Sequence, residues 1–64
     1  MNKDTAITIL SDRRSALLDE YHLQKAYSKE YVNAADKIEA LEASDNALEI
    51  FKALDFVLNQ LIED

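Results

Sequence analysis

No glycine and no proline occur anywhere in the 64 residues. That absence constrains the fold more than any motif does. Tight β-hairpin turns need residues that accept positive φ, and a β domain of this length needs several of them. Loops that cradle phosphate groups also need glycine, so P-loop and dinucleotide-binding fingerprints are excluded. There is no cysteine either. Disulfides and thiolate metal sites are therefore closed to the chain. What remains is helix packing in one small domain over 1–64, helped by oligomerisation, because a chain this short buries little surface alone. A composition of 48% hydrophobic residues is too apolar for a disordered chain. No apolar run approaches the roughly 18 residues of a membrane span. The start, Met1-Asn2-Lys3-Asp4, lacks the basic-then-apolar pattern of a secretory leader, so the expected location is cytoplasmic and no membrane contact is expected.

One segment reads as a break. Ser44, Asp45 and Asn46 are all good N-caps, and Asn46 with Glu49 resembles a capping box. The expectation is a turn at 44–46 followed by a helix over about 46–62. In that helix Leu48, Phe51, Leu54, Val57, Leu58, Leu61 and Ile62 follow helical spacing, with Ala47 and Ile50 on the flanks. The arc is wide enough to meet more than one neighbour. Phe56 lies off it, near Glu49, Lys52 and Gln60.

The preceding stretch predicts a longer helix, beginning near 5 or 11 and ending near 43. Leu10, Leu17, Gln24, Tyr31 and Ile38 repeat every seven residues. A second row begins Ile7, Arg14, Tyr21 and resumes one position over as Tyr27, Ala34, Leu41. Gln24, with Ser28 close by, has the character of a polar insertion that fixes register. Residues 1–10 include a β-branched run and are expected to be either the first helical turns or a frayed arm.

Two helices of unequal length leave part of the first without a partner in its own chain. An apolar stripe left bare marks an interface. The expected assembly is therefore a homodimer, a four-helix bundle of two long hairpins, with Leu10, Leu17, Leu18, Tyr21 and Gln24 at the dimer interface. The plan is similar to that of the Rop family, dimers of two hairpins whose helices are nearly equal in length. The alternative is a three-helix monomer with a further break between Gln24 and Asn33.

The net charge of -6 is unevenly spread. Lys3, Arg13, Arg14, Lys25 and Lys29 balance Asp4, Asp12, Asp19, Glu20 and Glu30. Residues 31–64 hold only Lys37 and Lys52 against eight acids, so the whole excess belongs to the second half. Asp36, Glu39 and Glu42 form an acidic band around the expected tip and continue to Asp45 and Glu49. Direct nucleic-acid binding is not expected, since neutralising phosphates needs an excess of Lys and Arg.

Catalytic chemistry finds little support. Asp19 and His22 share a helix face, but a di-metal bundle site needs a second such motif. No metal and no cofactor is expected. Leu54-Asp55 with Leu58 is similar to a segment of the small helical-hairpin aspartyl-phosphate phosphatases of sporulating bacteria. That motif has Ser four residues before the Asp, and here the position is Phe51. Asp55 is instead expected to be structural, partnered by Lys52 or by a tyrosine hydroxyl. Tyr21, Tyr27 and Tyr31 are expected to straddle core and surface.

The function expected is that of a small acidic, non-enzymatic regulator or inhibitor acting by protein–protein interaction. The expected contacts are Asp36, Glu39, Glu42, Glu49, Lys52 and Phe56. One alternative is a purely structural oligomerisation module. The other is a nucleic-acid mimic that offers its carboxylates to a basic DNA- or RNA-binding protein.

Overall fold

A computed structural model describes residues 1–63. The fold is an antiparallel hairpin of two helices, α1 over Lys3–Glu30 and α2 over Ala34–Glu63. The all-helical expectation holds, but the turn does not lie at 44–46. The chain reverses at Tyr31, Val32 and Asn33, and α2 runs unbroken through Ser44, Asp45 and Asn46. The three-helix alternative placed its extra break in the segment where the real one falls. With no second break, two helices result.

Side-chain capping explains both starts. Asn2 Oδ1 accepts from the Thr5 amide at 2.8 Å and opens α1 at Lys3, so residues 5–10 are helical. Asn33 Oδ1 accepts from the Ala35 amide at 2.8 Å and opens α2. Asp36 in the first turn of α2 and Lys29 in the last turn of α1 complement the helix dipoles. Tyr31 leaves α1 in an extended conformation, with its amide donating to the Tyr27 carbonyl at 3.1 Å. The connection needs no positive φ, which is how a chain without glycine makes it.

Ser44, Asp45 and Asn46 remain helical because packing outweighs propensity. Each costs roughly 0.5 kcal/mol against alanine inside a helix, about 1.5 kcal/mol together. A break there would tear open the seam. Ala40, Ser44 and Ala47 are buried along it, and their small side chains let α2 lie close to α1. Ser28 on α1 is buried as well, its hydroxyl donating to the Lys25 carbonyl at 2.6 Å. Toward the termini the seam widens to larger residues, with Leu17 and Leu58 buried and Leu10, Phe51, Leu54 and Leu61 half-buried.

The inner rows keep strict heptad spacing. On α1 they are Ile7, Arg14, Tyr21, Ser28 and Leu10, Leu17, Gln24. The first row does not shift to Tyr27 but continues through Ser28. On α2 they are Ser44, Phe51, Leu58 and Ala40, Ala47, Leu54, Leu61. Helices of 28 and 30 residues match in length and account for the 47 Å long axis. No stretch of α1 therefore lacks α2 beside it. The unequal lengths that motivated the dimer expectation are not found.

Candidate interaction surface

The two sides of the hairpin differ in chemistry. One side carries an open groove near the turn, lined by Gln24, Tyr31, Asp36, Glu39, Ala40 and Ala43. This groove puts the α2 rows Asp36, Ala43, Ile50, Val57 and Glu39, Asn46, Ala53, Gln60 on one side. Helical periodicity adds the α1 rows Ala6, Arg13, Glu20, Tyr27 and Ile9, Ala16, Leu23, Glu30. Large apolar side chains on this groove side stand open to solvent. Ile9 is 50% exposed, Leu23 45%, Ile50 48% and Val57 44%. Tyr27 and Tyr31 continue the strip toward the turn, their rings 6.3 Å apart.

The opposite side also exposes apolar side chains, Leu41 at 41% and Ile62 at 62%, and it carries the polar contacts. Arg14 Nη1 meets Asp55 Oδ1 at 2.7 Å, linking the helices toward their terminal ends. The expected partner of Asp55 was Lys52 or a tyrosine hydroxyl, and its partner is Arg14. Lys52 pairs with Glu49 instead, at 3.7 Å. Lys25 Nζ lies 2.9 Å from the Tyr21 hydroxyl and 5.2 Å from the ring centroid. The Tyr21 hydroxyl raises the Lys25 pKa, first by hydrogen bonding and then by charge, and Asp45 on α2 adds to it. His22 is exposed and tilted against the Tyr21 ring at 5.2 Å. Among the described residues no group of three or more His, Cys, Asp or Glu is arranged to hold a metal.

Of the residues expected at a dimer interface, Leu10, Leu17, Tyr21 and Gln24 lie on the rows that face α2 of the same chain. Leu17 is buried in the seam, and Leu10, Leu18, Tyr21 and Gln24 are half-buried beside α2 of the same chain. Tyr21 lends its carbonyl to the Ser44 hydroxyl at 3.5 Å. Gln24 Nε2 donates to Glu20 Oε1 at 2.8 Å. The seven-residue repeat of Leu10, Leu17 and Gln24 runs along the intrachain seam.

The expected contact set divides in two. Asp36 and Glu39 line the groove. Glu42, Glu49 and Phe56 form a separate row on the outer face of α2, with Lys52 beside it and Phe56 66% exposed. The acidic band therefore runs along α2 from the Tyr31–Asn33 tip, rather than around a turn at 44–46. Glu42, Asp45 and Glu49 sit inside the helix, not at its ends, and Asp64 lies outside the described residues. The apolar groove-side row on α1 escaped notice in the sequence. Its signal was the spacing Ile9, Ala16, Leu23, which repeats every seven residues one step round from the seam.

No known protein family matches the chain, and no curated protein or solved structure shows significant similarity to it. No helix among the described residues is long and apolar enough to cross a membrane.

Proposed function

We propose that the chain is a non-enzymatic protein that works by association. Two hairpins join into a four-helix bundle, and the bundle serves as a small regulator or inhibitor by docking its acidic outer face on another protein. One observation carries this reading. The buried apolar residues are Leu17, Ala40, Ala47 and Leu58, while Ile9, Leu23, Ile50 and Val57 stay about half exposed on one side. A two-helix layer of 64 residues buries too little to be robust alone, and these half-exposed apolar side chains are what association would cover. Glu42, Glu49 and Phe56 point away from that side and stay available to a different partner.

Sedimentation equilibrium at micromolar concentration tests the first part. The expected mass is twice that of the chain, with a melting temperature that rises with protein concentration. A species of single-chain mass with a concentration-independent melt overturns it. For docking, Phe56→Ser should abolish binding with little salt dependence. If charge reversal at Glu39 and Glu42 abolishes it instead, and binding falls steeply with salt, the nucleic-acid mimic is the better reading. If neither change affects binding, both contact proposals fail.

A further inference from the structure

We propose that the hairpin pairs with a second copy of itself head to tail, the turn of one against the termini of the other, and that Arg13 and Glu20 set this direction. The inference rests on the self-association proposed above and adds its face and orientation.

Charge is polarised along the groove side. On its four rows, the half near the turn holds Glu20, Glu30, Asp36 and Glu39 and no cation. Among the described residues, the half near the termini holds Arg13 and no carboxylate. Lys25 and Lys29 lie on the opposite side, and Lys37 falls on a row turned toward α1. Stacking two copies turn on turn would press both sets of four carboxylates together with no cation on those rows. Head-to-tail stacking separates the two sets and brings Arg13 of each copy over the acidic half of the other. Like-charge juxtaposition is the strongest rejector of a wrong orientation.

The row positions on α1 also fit a two-fold axis near Ala16. Two antiparallel copies of α1 crossing there set Ile9 against Leu23 of the second copy, and Ala6 against its Tyr27. Arg13 falls opposite its Glu20, and Ala16 meets itself. A small residue thus occupies the crossing point, where backbones approach most closely. Every apolar residue meets an apolar one, and the one charged pair is of opposite sign. Arg13 and Glu20 are seven residues apart, about 10.5 Å along the helix, and straddle the axis evenly. Both are exposed, and Arg13 takes part in neither ion pair found among the described residues. On α2, where Ser44 lies level with Tyr21, the same axis passes near Ile50 and sets Ile50 against itself and Ala43 against Val57, with no like charges opposed among the described residues.

The chain has no cysteine, so a single Val32→Cys provides one labelling site, on a turn residue that is fully exposed. Spin labels there report the distance between the two turns of a dimer. Head-to-tail pairing predicts a separation close to the 47 Å length of the hairpin. Turn-on-turn pairing predicts roughly 20 Å, about two helix spacings. A short distance in a protein of dimer mass overturns the orientation and leaves self-association standing. A single-chain mass for the unlabelled protein overturns the reading beneath it. Arg13→Glu should weaken the dimer about tenfold, because two symmetry-related pairs change from attraction to repulsion. The reciprocal double variant R13E/E20R should return the affinity to within about threefold of the starting value. If R13E leaves the dimerisation constant unchanged, or the double variant stays as weak as the single one, the assignment of Arg13 and Glu20 is overturned. Helical content measured on each variant separates loss of pairing from loss of fold.

Discussion

Ser44→Ala distinguishes a helix that continues through 44–46 from one that starts there, and the two cases differ in sign. In the hairpin Ser44 is 2% exposed and lies mid-helix. Its hydroxyl contact to the Tyr21 carbonyl is 3.5 Å, at the outer limit of a hydrogen bond, so little is lost with it. Alanine gains roughly 0.5 kcal/mol of helix propensity over serine. The net change should lie between about 0 and 0.5 kcal/mol of stabilisation. In a chain this small that raises the melting temperature by about 0 to 4 °C, from roughly 4–8 °C per kcal/mol. Were Ser44 an N-cap, the same change would cost about 1 kcal/mol. Asn33→Ala is the paired control. It removes the acceptor of the 2.8 Å bond from the Ala35 amide and should cost about 1 kcal/mol, lowering the melt by roughly 4–8 °C. Circular dichroism at 222 nm, at one fixed protein concentration, reads both changes. A melt lowered by Ser44→Ala and untouched by Asn33→Ala would refute the continuous α2 and restore a turn at 44–46.

Leu58 is the most deeply buried side chain, at 0% exposure, and Leu58→Ala should cost about 2–5 kcal/mol, enough to abolish a cooperative melt in a domain this thin. The Arg14–Asp55 pair is 31% and 43% exposed, so a double-mutant cycle should give only about 0.2–1 kcal/mol, falling with added salt. A coupling energy that ignores salt would refute the surface assignment. Tyr21→Phe should lower the Lys25 pKa toward its ordinary 10.5, as read by NMR titration of the side chain. Because the folded pKa is the raised one, this contact's contribution to stability is present below the ordinary value and is lost as pH rises through the folded value.

The charge pattern, the two capping asparagines and the seven-residue rows were all present in the amino-acid order. The row Leu10, Leu17, Gln24 survives as half of the α1 seam, while Tyr31 falls in the turn and Ile38 is exposed on α2, and Phe56 is as exposed as its off-stripe position implies. Ser44-Asp45-Asn46 misled because caps are recognised from local preferences worth about 1 kcal/mol each, less than the packing they compete with. Tyr31-Val32-Asn33 carries a weaker local signal, a single asparagine after two residues that suit extended backbone. Asp55 found Arg14 rather than Lys52 because its partner comes from 41 residues away, a separation that register alone fixes.

The sequence by itself determined an all-helical chain, because without glycine, proline or cysteine no other architecture is open to 64 residues. It also determined that negative charge gathers in the second half. Only the tertiary structure decided where the chain turns, and with that which face is used up inside the molecule and which is left bare. The physical reason is close packing. Ala40, Ser44 and Ala47 stabilise an unbroken α2 only when α1 lies against them, so a contact far away in sequence overrides three residues that locally favour a break.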